Sequence, residues 1–153
     1  MNEAFVPVQT LLMAHHRRLD EVFVRVQKAA AERDFQTARG AFRQFSVELR
    51  AHIDIEEKDL FPLFETATGM VQGPTVVMRV EHQQINASLD EISALLGREE
   101  EISLAARRLL SVLSAHNQQE EGILYPLSDK QIARADLESL EKTIKAKLAV
   151  AMR

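Results

Sequence analysis

Apolar residues recur every three or four positions along most of the chain, a spacing that predicts helices rather than strands. The first apolar stripe follows Pro7, a residue tolerated at the start of a helix, and it ends near Glu32. Asp34 is a favoured N-cap for a second helix, Pro74 starts a third, and a fourth follows the charged link after Gly97. The stripes of the four helices are Val8, Leu12, Leu19, Phe23 and Val26; Phe42, Phe45, Leu49, Ile53, Leu60 and Leu63; Met78, Ile85, Leu89 and Ile92; and Leu109, Val112, Leu113, Ile123 and Leu127.

Four long helices with short connections predict an all-α fold, an antiparallel up-down-up-down four-helix bundle over about residues 8–130. A shorter fifth helix is predicted at about residues 136–152, and we expect it to cap or flank the bundle. Contact with another copy of the chain is an alternative use of its apolar stripe, so a monomer and a homodimer both remain open. The length of 153 residues predicts a single domain, residues 1–153.

Composition and charge restrict the possible partners. Apolar residues make up 46% and charged residues 27% of the chain, as in ordinary globular proteins, and the formal net charge is −4. This mild acidity argues against a nucleic acid or an anionic membrane surface as partner, since both require a basic face. The chain has no cysteine, which excludes disulfides and thiol catalysis and favours a cytoplasmic location. The first seven residues do not resemble a signal peptide.

An internal repeat divides the chain into two similar halves. Residues 52–62 read HIDIEEKDLFP and residues 116–126 read HNQQEEGILYP, so both follow the pattern H-x-x-x-E-E-x-x-L-[FY]-P. A single histidine precedes each copy, His16 in the first half and His82 in the second. The repeat predicts two helical hairpins of similar design, related by a pseudo-twofold axis.

Six polar side chains fall on the inward faces of the four helices. Each helix has a histidine in its apolar stripe, and in two helices a glutamate follows four residues later, which places both side chains on one face. The helix lengths bring the histidines of each hairpin to nearly the same height in the bundle. The six residues are His16, His52, Glu56, His82, His116 and Glu120.

Burial of two carboxylates and four imidazoles is costly without compensation. Salt bridges do not suffice, because the four histidines outnumber the two glutamates. Neutral imidazole and carboxylate are both ligands of first-row transition metals. The arrangement therefore predicts two metal ions bridged by Glu56 and Glu120 and capped by the histidines, with room for a solvent bridge and a diatomic ligand.

The order H…HxxxE…H…HxxxE, with LFP and LYP after the two glutamates, resembles the hemerythrin-like (HHE) cation-binding domain family over about residues 8–130. The resemblance implies that the four histidines are terminal ligands, that the two glutamates bridge, and that the ions are two irons with an oxo or hydroxo bridge. Relatives of this kind bind dioxygen reversibly, bind nitric oxide, sense oxygen or iron, or help to repair damaged iron centres.

One position departs from the oxygen carriers of that family, which have a fifth histidine one turn after the third-helix histidine. This chain has Asn86 there, which puts the carrier role in doubt and leaves one iron more open. Solvent, Glu81 or His15 are the candidates that would complete its coordination. The repair relatives typically have a cysteine-bearing segment ahead of the ligand set, and this chain has no cysteine.

Several neighbours of the six residues have two possible roles. His15 is about 100° around the helix from His16 and is predicted to lie at the surface or boundary of the bundle. Glu57 and Glu121 point off the stripe and are expected to be solvated or ion-paired. Asp20 and Asn86 either orient imidazoles or lie at the edge of the stripe.

Tyr125 is a hydrogen-bond donor candidate, although Phe61 at the matching position indicates that packing alone suffices there.

The sequence thus predicts a non-haem di-iron protein that binds dioxygen or nitric oxide for storage, sensing or stress response. The alternative is a di-iron enzyme or an iron-centre-repair factor that handles peroxide or nitrosative damage. A purely structural module with zinc or manganese is a third interpretation.

Overall fold

In the computed structural model, which describes residues 4–153, the chain forms a helical bundle with an additional C-terminal helix, and no strand occurs among those residues. Two helices of the bundle are each interrupted by a single π-helical turn. The α-helices are α1 Val8–Ala31, α2 Phe35–Ile55, α3 Phe61–Thr68, α4 Pro74–Gly97, α5 Ser103–Gln119, α6 Tyr125–Gln131 and α7 Arg134–Ala151.

Short connections make the successive helices of the bundle, which begin with α1, α2, α4 and α5, antiparallel neighbours. Between α1 and α2 the turn uses Arg33 in the left-handed region (φ 57°), and the Asp34 carboxylate then accepts a hydrogen bond from the Thr37 N–H at 3.2 Å. Asp34 is therefore the N-cap that the sequence predicts. Helix α1 packs on α2, α2 on α4, α4 on α5, and α5 on α1, which closes the four-membered bundle.

The π-helical turns lie at Glu56–Leu60, between α2 and α3, and at Glu120–Leu124, between α5 and α6. In each, the closing N–H bonds to the carbonyl five residues earlier, from Phe61 to Glu56 and from Tyr125 to Glu120. A proline follows directly after each of these closing residues. Since proline has no N–H and clashes with the carbonyl four residues back, a wider turn relieves a contact that a continuous α-helix would impose.

The second π-turn corrects one prediction about the core. Ile123, assigned to the apolar stripe of the fourth helix, is 57% exposed, whereas Leu124 and Tyr125 are buried. A π-turn contains one more residue than an α-turn, and it therefore shifts the inward face by about one position.

The apolar core is divided into two clusters by a layer of polar side chains. One cluster contains Leu19, Phe45, Leu89 and Leu109 with their neighbours, and it fills the part of the bundle near the α1–α2 turn. The other lies at the opposite end, under α7. It is made up of Val8, Leu12, Ile55, Leu60, Phe61, Phe64, Met78, Leu124, Tyr125, Ile132, Leu137, Leu140 and Ile144.

Helix α7 begins two residues before the predicted start, and it packs on α1, on α2 and on the first π-turn. Leu137, Leu140 and Ile144 are buried there in the same cluster as residues of the bundle. The fifth helix thus uses its apolar stripe within its own chain, as the expectation of a capping or flanking helix requires. No helix in residues 4–153 combines the length and the apolar character needed to cross a membrane.

The packing of α7 predicts that its inward and outward residues differ strongly in their effect on stability. We expect Ile144→Ala, at a site that is 0% exposed, to lower the free energy of unfolding by about 2–5 kcal/mol through the cavity it leaves. The matched control Val150→Ala, in the same helix but 60% exposed, should change it by less than about 0.5 kcal/mol. Urea unfolding of the metal-free protein measures both, and equal effects would contradict the observed packing.

Candidate metal centre

Four separate helices and both π-turns supply the polar layer. His16 comes from α1, His52 from the last turn of α2, His82 from α4 and His116 from the last turn of α5. Each of the two glutamates is the first residue of a π-turn. All six side chains are buried, with residue exposures of 4% or less. The structure therefore brings together the complete set of six residues singled out in the sequence.

The six residues form two groups that share both carboxylates. One group contains His16, His52, Glu56 and Glu120, the other Glu56, His82, His116 and Glu120, and within each group the ligand atoms lie within 4.8 Å of one another. Each half of the chain thus contributes both histidines of one group and one of the two shared glutamates.

Each glutamate turns one oxygen towards each group. Glu56 Oε2 lies 3.5 Å from His52 Nε2, and its Oε1 lies 3.1 Å from His82 Nε2. Glu120 Oε1 lies 3.3 Å from His16 Nε2, and its Oε2 lies 3.1 Å from His116 Nε2. Each carboxylate thus places one oxygen beside the imidazoles of each group.

The buried atoms themselves indicate that a cation fits. Among residues 4–153, the buried side-chain atoms without a hydrogen-bond partner are Glu56 Oε1, His82 Nε2 and Glu120 Oε2. All three belong to the second group and point at one another. Buried polar atoms are normally paired, and a cation at this point would satisfy all three lone pairs at once. The nitrogen and carboxylate donor set suits a first-row transition metal.

Carboxylates outside the layer orient three of the imidazoles. His16 Nδ1 donates to Glu121 at 2.7 Å, His82 Nδ1 to Glu57 at 2.7 Å, and His116 Nδ1 to Glu81 at 2.8 Å. With the proton on Nδ1, the lone pair on Nε2 faces the centre, as in metal-bound histidines. Of the two alternatives expected for Glu57 and Glu121, solvated or paired, the structure shows the second, since each is paired with an imidazole.

Glu81, a candidate ligand in the sequence, holds His116 from outside. Asn86 is turned to the surface, where its Oδ1 accepts a hydrogen bond from Arg50 at 3.2 Å. Within the described part of the chain, no hydrogen bond joins Asp20 to His16, whose Nδ1 is bonded to Glu121 instead. Neither residue orients an imidazole here.

His52 has a different partner, and the prediction for His15 is wrong. His15 is buried between α1 and α2, with its Nδ1 2.8 Å from His52 Nδ1 and its Nε2 3.1 Å from Glu48. If Nε2 of His52 faces the centre as a lone pair, its Nδ1–H donates to His15, and the Nε2–H of His15 donates to Glu48. The angular argument placed His15 off the stripe of α1, but the face it occupies is the one covered by α2.

Glu48 is a fully buried carboxylate that the sequence analysis did not single out. Arg18 donates to it twice, at 2.7 and 2.8 Å, and Gln44 also donates to it. Burial alone would raise its pKa, but the hydrogen bonds from Arg18, Gln44 and His15 hold the pKa at about 2. The signal was present in the sequence, because position 48 lies four residues before His52 on the same helical face.

Tyr125, which the sequence offered as a hydrogen-bond donor candidate, contacts both glutamates and two of the imidazoles. Its hydroxyl lies 2.5 Å from Glu56 Oε2, 3.0 Å from Glu120 Oε1, 3.2 Å from His52 Nε2 and 3.3 Å from His16 Nε2. Burial and the charges of both glutamates raise the pKa of this phenol well above its usual value, so that it acts as a hydrogen-bond donor in the metal-free protein. The expectation that packing alone suffices at this position is therefore wrong.

Without a cation, protons partly compensate the charges of the layer. Burial and the neighbouring Glu56 raise the pKa of Glu120. Burial opposes the charge on His116, but its hydrogen bond to Glu120 raises the pKa of His116 to about 9. Burial has the larger effect at His52 and lowers its pKa to about 4. Because coordination requires neutral imidazole and ionised carboxylate, a cation entering the layer must displace these protons.

Residues 8–128 match the family model of the hemerythrin HHE cation binding domain. The chain belongs to the hemerythrin HHE cation-binding family. The search of curated proteins and the search of solved structures gave no match. Membership in this family and the buried His/Glu cluster together identify a metal-binding protein.

Because a cation must displace protons from the layer, we expect the metal affinity of this hemerythrin-type domain to depend on pH. We expect binding of Co²⁺ to the metal-free protein to strengthen by about tenfold per pH unit between pH 6.5 and 8.5, because the pKa of His116 near 9 keeps it protonated over this range. Titrations followed by the visible bands of Co²⁺, with pH-stat measurement of released protons, test this. An affinity that does not change with pH would contradict it.

The outer carboxylates predict a second effect on affinity. We expect Glu81→Gln to weaken metal binding about 10–100-fold, because an amide supports the orientation and basicity of His116 less well than a carboxylate does. The matched control is Glu138→Gln, which removes a surface carboxylate paired with Arg134. Competition with a chelator of known affinity measures both, and equal affinities of the two variants would show that Glu81 plays no such role.

Proposed function

We propose that this protein is a non-haem di-iron protein that binds dioxygen or nitric oxide, in storage, sensing or stress response. The observation that supports it is the pair of ligand groups sharing Glu56 and Glu120. A single ion would leave half of the imidazoles and one oxygen of each carboxylate without a cation.

His16 and His52 would hold one ion, and His82 and His116 the other. Glu56 and Glu120 would give one oxygen to each ion, as their present distances to the four imidazoles favour. An oxo or hydroxo group would complete the bridge between the ions.

Iron is proposed on two grounds. Imidazole and carboxylate ligands suit iron, although zinc and manganese accept similar sets. A redox-active ion is further favoured by the resemblance of the ligand order to hemerythrins. Ferrous iron supplies electrons and an open coordination position to which a diatomic ligand binds.

The surroundings of the layer favour a very small ligand. The six side chains are almost completely inaccessible and lie between two apolar clusters, so that water is largely excluded. With Asn86 turned to Arg50 at the surface, no fifth histidine from α4 competes for a coordination position. Dioxygen and nitric oxide are apolar enough and small enough to enter such a site.

Reconstitution under anaerobic conditions tests this proposal. We expect two ferrous ions per chain and new visible absorption bands on addition of dioxygen or nitric oxide. Glu56→Ala should reduce the iron content and abolish the bands, since it removes one bridge, whereas the surface control Glu138→Gln should behave like the unmodified protein. Two bound irons with no spectral response to either gas would refute the gas-binding role and favour the enzymatic alternative, which peroxide turnover would then measure.

A further inference from the structure

The hydroxyl of Tyr125 occupies a position expected for an additional metal ligand. Its oxygen contacts four donor atoms of one group, Glu56 Oε2, Glu120 Oε1, His52 Nε2 and His16 Nε2, at 2.5–3.3 Å. Two neighbouring ligands of an octahedral ion with bonds of about 2.1 Å lie about 3 Å apart. The oxygen therefore has the spacing of a ligand with four neighbours in the same coordination sphere.

Tyr125 could not keep its hydrogen bonds to the two glutamates if a cation bound between them. The O–H group of Tyr125 uses lone pairs of Glu56 and Glu120, and these are the lone pairs that the ion would take. The ring is 0% exposed, packed in the cluster below the layer and followed directly by Pro126, so that it has little room to withdraw. The phenol oxygen is left with its own lone pair directed at the ion.

The second group, around His82 and His116, has no such phenol oxygen. Phe61 takes the matching position of the repeat, and its ring stacks on His82 at a centroid distance of 5.8 Å, the same distance as between Tyr125 and His16. All three unpartnered buried atoms of the layer lie in this second group, and none is unique to the group beside Tyr125. The two metal positions are thus chemically different in spite of the sequence repeat.

We propose that Tyr125 is a ligand of the ion held by His16 and His52, and that the ion held by His82 and His116, beside Phe61, has the open position. This inference rests on the proposed di-iron centre. On coordination the O–H bond breaks, the oxygen uses its electron pair for the bond to the metal, and the proton leaves to a solvent base. No redox change is required.

The unmodified protein permits a direct test, because Tyr125 is the only tyrosine in the sequence. The diferric protein should show a phenolate-to-iron(III) charge-transfer band in the visible spectrum. Resonance Raman excitation within that band should enhance tyrosinate ring modes, and these should shift when the protein is grown with ring-deuterated tyrosine. A diferric protein with two irons per chain and no enhanced tyrosinate mode would overturn the proposal.

A matched pair of variants tests the asymmetry. Tyr125→Phe should lose the band completely while retaining two irons, since it removes one of seven proposed protein ligands. Phe61→Tyr should give a stronger band and lose the response to nitric oxide, because the new hydroxyl would fill the open position. Persistence of the band in Tyr125→Phe, or an unchanged nitric oxide response in Phe61→Tyr, would contradict the assignment. If Tyr125→Phe does not fold, the isotope experiment on the unmodified protein decides.

The outcomes separate this inference from the proposed function. A tyrosinate band without any response to dioxygen or nitric oxide supports the ligand and refutes the gas-binding role. A gas response in a two-iron protein without the band refutes the ligand alone. A failure to bind iron refutes both.

Discussion

The structure depends on the burial of two carboxylates and four imidazoles in one layer of an apolar core. Ionised groups in such a place are costly unless opposite charge meets them at short range. In the metal-free protein, protons shared between Glu120, His116 and their neighbours provide part of that charge, and Tyr125 donates to the carboxylates on one side. The atoms left without a partner lie on the other side, which explains why the layer suits cations better than protons.

A second set of polar residues links this layer to the surface. Three imidazoles are oriented by carboxylates that are partly exposed. His52 is instead oriented by a chain of hydrogen bonds that runs through His15 and Glu48 to Arg18. These partners determine which ring nitrogen faces the centre. We therefore expect metal affinity to depend also on these outer partners, which are not among the six residues of the layer.

The sequence repeat and the difference within it have separate consequences. The repeated H-x-x-x-E-E pattern creates two nearly equivalent ligand groups, each with a π-turn that starts at the shared glutamate. A single difference, Phe61 in one copy of the repeat and Tyr125 in the other, makes the two groups unequal, because only one of them has a phenol hydroxyl beside its carboxylates and imidazoles. A repeated scaffold thus presents two groups of side chains that differ chemically.

The helices, the short connections and the height at which the six residues meet could be predicted from the sequence, because helical periodicity relates sequence spacing directly to face and depth. The same is true of the capping turn at Asp34. The positions of His15, Glu48, Tyr125 and Ile123 became clear only from the folded arrangement. The first three depend on which side chain lies opposite on a neighbouring helix, which the spacing within one helix does not specify. The exposure of Ile123 follows from the extra residue of a π-turn, which shifts the helical face beyond it.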